Sequence, residues 1–73
     1  MNKQVDKILD IFEDNEVNGD WDWRGWRKDM TDAGFTQKQI QQIEDHNHPP
    51  YIRDDGAIVY ESLWEREMEN ILK

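Results

Sequence analysis

The sequence predicts a mainly α-helical α+β fold of about four helices, with one short β-hairpin before the last helix. Apolar residues recur at the spacing of one buried helical face, and capping residues or glycines mark where these stretches begin and end. An Asp-Gly pair between two β-prone runs near the C-terminus indicates the hairpin. With 73 residues, the chain is predicted to form a single compact domain, residues 1–73.

The first two helices are predicted from their apolar faces and their ends. The first runs from about Lys3 to Glu13 and leads into the polar run 14–19, which is predicted to be a loop. The second begins near Asp20 or Asp22, either of which can cap it, and closes at Gly34. The side chains predicted to face the core are Val5, Ile8, Leu9, Phe12, Trp23, Trp26, Met30 and Ala33.

Two capping boxes predict the starts of the third and fourth helices. Thr36 with Gln39 opens the third helix, and Ser62 with Glu65 opens the fourth. The third helix is expected to stop before the segment 46–50, because a proline cannot continue it. The inward side chains of these helices are predicted to be Ile40, Ile43, Trp64, Met68, Ile71 and Leu72.

The hairpin lies between these two helices. A two-residue turn at Asp55-Gly56 would join its strands. This turn sets the register, pairing Tyr51 with Tyr60 and Ile52 with Val59. Similar side chains would then face each other across the ribbon.

Charge and composition narrow the possible functions. Nine basic and seventeen acidic residues give a net charge of −8, which repels a nucleic-acid backbone and attracts basic protein surfaces. The absence of cysteine excludes thiolate metal sites and fits a reducing compartment. Residues 1–13 are amphipathic and lack the apolar run of a signal peptide or membrane span. The protein is therefore predicted to be cytoplasmic, with no direct contact to nucleic acid or membrane.

Segment 14–25 resembles the calcium loop of EF-hand proteins. The residues at loop positions one, three, five, six and nine are Asp14, Glu16, Asn18, Gly19 and Asp22. Segment 55–63 looks like the back half of a second such loop. Position twelve should be a bidentate glutamate, but it is Gly25 in the first loop and Ser62 in the second. The resemblance therefore implies a degenerate, metal-free EF-hand-like pair, and no metal or other cofactor is predicted.

A second resemblance concerns the turn between the second and third helices. The run from Met30 through Gly34-Phe35-Thr36 to Ile43 is similar to the first helix, loop and second helix of ubiquitin-associated domains. The same two helices resemble a helix-turn-helix. DNA contact by the third helix is opposed by the net charge of −8.

The sequence shows no catalytic constellation. It contains neither a glycine-rich phosphate loop nor a Gly-x-Ser-x-Gly motif, and its one serine, Ser62, is assigned as a cap. A general acid needs a pocket that raises its pKa, and a domain of this size has little volume for one. His46 and His48 are predicted to be solvated loop residues, because two histidines at this spacing do not converge on a metal. The protein is predicted not to be an enzyme.

Acidic residues are concentrated in two parts of the chain. Between Asp10 and Asp22 there are six acids and no basic residue, and further acids lie at the hairpin tip and around the start of the last helix. One interpretation is a solvated face that keeps a tryptophan-rich chain in solution. The other is a surface for a basic partner. The predicted partner-binding residues are Asp10, Glu13, Asp14, Glu16, Asp20, Asp22, Asp54, Asp55, Glu61 and Glu65.

These observations lead to two hypotheses for the function. The first is an inhibitor, a DNA mimic of the phage or mobile-element type, whose acidic surface occupies the basic nucleic-acid-binding site of another protein. The alternative is a structural or adaptor module that binds through exposed aromatic residues, with Trp21 or Trp64 as an anchor. Neither hypothesis sets the oligomeric state.

Overall fold

The computed structural model describes residues 2–73 and confirms the mainly helical fold with a short β-hairpin before the last helix. It also has a second short hairpin, after the first helix, that was not predicted. The helices are α1 (Lys3–Asp14), α2 (Trp23–Asp32), α3 (Gln37–Glu44) and α4 (Ser62–Ile71). The strands are β1 (Glu16–Val17), β2 (Asp20–Trp21), β3 (Tyr51–Ile52) and β4 (Ile58–Val59). They form two separate antiparallel ribbons, β1 with β2 and β3 with β4.

One hydrophobic core receives side chains from all four helices. Phe12 lies at its centre, with its ring centroid 5.0–6.4 Å from the rings of all four tryptophans. Aromatic pairs at such distances add to the stabilisation that comes from burial alone. The buried apolar residues are Val5, Ile8, Ile11, Phe12, Trp26, Met30, Ile40, Ile43, Trp64 and Met68.

The core of the first two helices includes Ile11, which was not predicted, and excludes Ala33, which was. Leu9 and Trp23 are only partly buried and pack against it. The inner face of α1 is therefore rotated slightly from the prediction. Ala33 is exposed because α2 ends at Asp32, which makes Ala33 its C-cap. Gly34 closes this helix as predicted, with a φ of +96°.

The two predicted capping boxes have different outcomes. The Thr36 hydroxyl accepts from the Gln39 N–H at 3.1 Å, and Gln39 Oε1 accepts from the Thr36 N–H at 2.9 Å, which confirms the first box. The second box is wrong. Helix α4 already includes Ser62, and its N-cap is Glu61, which makes no side-chain capping hydrogen bond. The Ser-x-x-Glu pattern is therefore present one residue too far into the helix to cap it.

Residues 14–19 were predicted to be a loop, and most of them belong to a hairpin. Val17 pairs with Asp20, so the turn consists of Asn18 and Gly19 alone. Both have positive φ, 53° and 83°, as a type I′ turn requires. Asn-Gly is the dipeptide most favoured in this turn. The Asn18-Gly19 pair therefore indicates this turn in the sequence. The flanking strands are only two residues long, too short to be recognised from an alternating pattern.

The second hairpin is present with a register different from the predicted one. Tyr51 pairs with Val59 and Ile52 pairs with Ile58, so the predicted pairings of Tyr51 with Tyr60 and of Ile52 with Val59 are both wrong. The Gly56 N–H donates to the Arg53 carbonyl at 2.9 Å, and Gly56 has a φ of +87°. This is a three-residue loop that closes on a left-handed glycine, the next most common hairpin connection after the two-residue turn.

None of the helices formed by residues 2–73 is both long enough and apolar enough to span a membrane.

Candidate functional site

Six of the predicted binding residues lie close together in the sequence, between residues 10 and 22, and we call them the first acidic group: Asp10, Glu13, Asp14, Glu16, Asp20 and Asp22. They occupy the C-terminal half of α1, both strands of the first hairpin and the N-cap of α2, and all six are exposed. Asp10, Glu13 and Asp14 are spaced i, i+3, i+4, so they share one helical face.

Among residues 2–73, the first acidic group has no basic partner at contact distance. The ion pairs among residues 2–73 are Arg27–Glu44 at 2.6 Å, His46–Glu67, and Arg53–Asp55 at 3.2 Å. None of them includes a member of the group. Uncompensated carboxylates at a surface project their field into solvent, which is the condition for steering a basic partner.

Three members of the group also hold the local backbone. Glu16 Oε1 accepts from the Gly19 N–H at 2.9 Å, and Asp22 Oδ1 accepts from the Gly25 N–H at 3.2 Å. Asp20 Oδ1 accepts from the Trp21 N–H at 2.8 Å. One oxygen of each of these carboxylates therefore accepts a backbone hydrogen bond, and the other is exposed to solvent. Truncating any of these side chains would remove a backbone hydrogen bond as well as a charge.

The first hairpin divides the group between two faces. Glu16 lies opposite Trp21, and Asp20 lies opposite Val17. Because successive strand residues point to opposite sides, Glu16 and Asp20 face away from each other. The part of the group that is both clustered and free of structural hydrogen bonds is the α1 face of Asp10, Glu13 and Asp14.

The same geometry bears on the EF-hand resemblance. In an EF-hand, the oxygens of positions one to twelve converge on one ion. Here the segment turns back on itself at Asn18-Gly19, and Glu16 and Asp20 diverge. Within residues 2–73 no three His, Asp or Glu side chains are grouped so as to hold a metal ion. Segment 14–25 thus has the composition of a calcium loop with the geometry of a hairpin.

A buried amide joins α1 to the hairpin and to α2, and the sequence analysis missed it. Asn15, the C-cap of α1, is buried, and its Nδ2 donates to the Ile11 carbonyl at 2.8 Å and to Asp29 Oδ2 at 2.9 Å. The Asn15 carbonyl accepts from the Asp22 N–H at 2.7 Å. This junction sets the angle at which the acidic hairpin leaves α1. Asn15 follows Glu13-Asp14 in a polar run, and no local pattern in the sequence marks it as buried.

The remaining four predicted binding residues form the second acidic group: Asp54, Asp55, Glu61 and Glu65. Asp55 is engaged, since it pairs with Arg53 and accepts from the Ala57 N–H at 3.0 Å. Glu65 is half-buried beside Tyr60. Burial raises the pKa of the Tyr60 hydroxyl, and the Glu65 carboxylate raises it further. Only Asp54 and Glu61 are exposed without a side-chain hydrogen bond or ion pair among residues 2–73.

The tryptophans named as possible anchors are part of the fold. Trp64 is 1% exposed, so it is not available to a partner. Trp21 is half-buried, and its Nε1 donates to the Pro50 carbonyl at 3.1 Å. Among residues 2–73, the large apolar side chains that are more than half exposed are Val17, Tyr51 and Leu63.

His46 also differs from its prediction. Its side chain is only 9% exposed, and its Nε2 contacts the Glu67 carboxylate on α4. Its Nδ1 accepts from the His48 N–H at 3.2 Å. His46 therefore fastens the segment after α3 to α4, whereas His48 is exposed as predicted.

Comparisons of the chain with protein-family models, with curated proteins and with solved structures found no match. Function is therefore inferred from the residues and geometry of this chain.

Proposed function

We propose that the protein binds a basic surface of another protein through its first acidic group and thereby blocks a nucleic-acid-binding site. The observation that carries this proposal is the set of six exposed carboxylates between residues 10 and 22, none of them in an ion pair among residues 2–73. The protein acts by occupying the site, and it needs neither a cofactor nor a catalytic step.

The small free energy of a single exposed ion pair favours binding by several carboxylates together over binding by one. An exposed ion pair contributes only about 0.2–1 kcal/mol, so one carboxylate does not make a binding site. Several unpaired carboxylates on one helical face, together with a net charge of −8, act at longer range and accelerate association with a basic surface. Binding of this kind weakens steeply as salt is added.

The test is a pull-down of tagged protein from a lysate, washed at about 50 and about 500 mM salt. Interactions between surface charges are strong at the lower concentration and almost completely screened at the higher one. The test variant is Asp10→Asn with Glu13→Gln, which removes two charges from the α1 face. The matched control is Asp45→Asn with Glu69→Gln, which removes two charges from α3 and α4. Asp45 accepts from the Gln41 side chain at 2.8 Å, and asparagine can keep that bond.

The expected partner is a nucleic-acid-binding protein that is retained at low salt, released at high salt, and displaced by added DNA or RNA. It should associate with the control variant as fast as with the wild type, and more slowly with the test variant. Equal binding by the test and control variants would contradict the proposal. The first acidic group would then contribute no more to binding than acids elsewhere on the protein.

A second candidate function is an adaptor that binds through exposed aromatic and aliphatic side chains. The observation that favours it is the exposure of Tyr51, Val17 and Leu63, at 57%, 54% and 52%. A partner that remains bound at about 500 mM salt would support this function, since apolar contacts are not screened. Substituting Tyr51 by alanine should then reduce binding, and the Asp10→Asn/Glu13→Gln variant should not.

A further inference from the structure

A cleft lies between the segment after α3 and the start of α4. It brings together aromatic side chains and a carboxylate that are not part of the hydrophobic core or of the first acidic group. Its volume is about 290 Å³. Small-molecule sites usually measure about 300–1,000 Å³, so this cleft suits a single side chain better than a cofactor. It is lined by Asn47, His48, Pro49, Tyr51, Tyr60 and Glu61.

The walls of the cleft are held in place, although one of them is an irregular polar segment. Pro50 is buried, and its carbonyl accepts the hydrogen bond from Trp21. His46 fastens the same segment to Glu67 and accepts from the His48 N–H. On the other side, the Tyr60 ring lies 5.4 Å from the ring of buried Trp64. A preformed cleft lowers the entropy that a ligand would lose in ordering it.

The chemistry of the cleft favours a cation. Tyr51 is 57% exposed, and Tyr60 presents a second aromatic side chain. Glu61 occupies the N-cap position of α4, but its side chain makes no capping hydrogen bond and no ion pair among residues 2–73, so both carboxylate oxygens are open to a ligand. An anion would face this carboxylate and a net charge of −8. An arginine side chain satisfies both features, because its planar guanidinium stacks on aromatic rings and pairs with a carboxylate through two N–H groups.

We propose that this cleft receives one arginine side chain of the basic partner, with the guanidinium against a tyrosine ring and paired with Glu61. The proposal deepens the proposed function and rests on it for the nature of the partner. It adds a contact that distinguishes arginine from lysine, which a diffuse acidic surface does not do. The first acidic group then steers the partner, and the cleft sets its position.

The cleft can be tested without knowing the partner, by titrating the protein with the peptide acetyl-Gly-Arg-Gly-amide and following proton NMR. The chain has only two tyrosines, Tyr51 and Tyr60, so their ring signals report directly on the cleft. Both should shift with one binding curve in the millimolar range. The citrulline peptide, which is neutral and nearly the same shape, should shift them much less, and the lysine peptide should bind less tightly than the arginine peptide.

Variants then separate the two parts of the contact. Glu61→Gln and Tyr51→Ala should each weaken arginine binding about two- to fivefold, as expected for the loss of one exposed ion pair or one cation–π contact. Tyr51→Phe keeps the ring and should retain binding. Asp32→Asn removes an equal charge from the exposed end of α2, outside the cleft, and should also retain it. Tyr51 is exposed, so its variants are expected to fold, and circular dichroism checks this.

Equal ring shifts with citrulline and arginine, or equal affinity for lysine and arginine, would overturn the proposal. So would arginine-induced shifts confined to residues 10–22, although that result would leave the proposed function intact. Conversely, arginine binding in the cleft together with unchanged partner binding by Asp10→Asn/Glu13→Gln would support the cleft and contradict the proposed function. The two proposals therefore fail separately.

Discussion

At the scale of single residues, the close contact between Asn15 and Gly25 constrains how α2 packs against the end of α1. Asn15 is buried with both of its Nδ2 hydrogen bonds made inside the protein, and the first turn of α2 passes directly over its side chain. A buried polar group that loses its partner costs about 1–3 kcal/mol. The close approach of α2 is therefore coupled to the satisfaction of this amide.

Gly25→Ala is predicted to destabilise the protein, against the usual trend for helices. Alanine favours a helix interior over glycine by about 1 kcal/mol. At this position, however, a Cβ would collide with Asn15 Oδ1 and lie 2.8 Å from Asp22 Oδ2, so the junction must shift. We expect a net loss of about 1–3 kcal/mol in the free energy of unfolding, measured by urea titration of tryptophan fluorescence. Lys28→Ala, exposed on the same helix, is the control and should change little. A more stable Gly25→Ala protein would show that the junction yields freely.

Tyr60 supplies a prediction about alkaline pH. Burial and the Glu65 carboxylate raise its pKa above the ordinary value of 10.0, because both disfavour the tyrosinate. The folded pKa is therefore higher than the unfolded one, so this contribution to stability is complete below pH 10 and is lost as pH rises through the folded pKa. Tyr51→Phe leaves Tyr60 as the one tyrosine, and its absorbance titration should have a midpoint above 10.0 in the native protein. The midpoint should fall to about 10 in denaturant. Equal midpoints in the two conditions would contradict this prediction.

At the scale of elements, local signals predicted the helices well and the hairpins poorly. The α3 start at Thr36 and the α2 end at Gly34 depend on hydrogen bonds within a few residues, so the sequence contains all the information they need. Hairpin register follows from the type of turn. The Asp55-Gly56 pair is compatible with a two-residue turn and with the three-residue loop that forms, and each of these fixes a different pairing. The strands here are two residues long, too short for an alternating pattern to distinguish one pairing from another.

The two Ser/Thr capping patterns provide a matched pair of variants. Thr36→Ala removes a formed capping box and should lower the free energy of unfolding by about 1 kcal/mol. Ser62→Ala alters a residue that is exposed inside the first turn of α4 and has no capping bond, so it should change stability by no more than about 0.5 kcal/mol. Both are measured by urea unfolding under one set of conditions. A loss at Ser62 as large as that at Thr36 would mean that the hydroxyl does cap α4.

At the scale of the whole molecule, the sequence predicted which residues carry charge but not which charges remain free. The contacts of Trp21 with Pro50, His46 with Glu67 and Arg27 with Glu44 join residues 17–29 positions apart. Contacts this distant follow from the packing of the helices and from no local pattern. They are also what separates the first acidic group, which stays unpaired, from acids such as Glu44 and Glu67 that belong to the fold.

The unpaired acids predict that salt stabilises this protein. At about 10 mM salt the Debye length is roughly 30 Å, close to the 33 Å longest dimension of the molecule, so the acids repel one another across the whole fold. At about 1 M salt it is roughly 3 Å, and only contact pairs still interact. With a net charge of −8, lost repulsion should outweigh the weakened ion pairs, so the Tm should rise with NaCl.

Charge variants separate this electrostatic effect from the general action of salt on apolar surface, which they leave unchanged. Removing two acids brings the net charge from −8 to −6, so both Asp10→Asn/Glu13→Gln and Asp45→Asn/Glu69→Gln should reduce the rise in Tm. A larger reduction by the first variant would locate the repulsion in the first acidic group, where a basic partner would relieve it on binding. A Tm that falls with added NaCl would mean that the ion pairs outweigh the repulsion. The first acidic group would then not be a surface whose internal repulsion a basic partner relieves on binding.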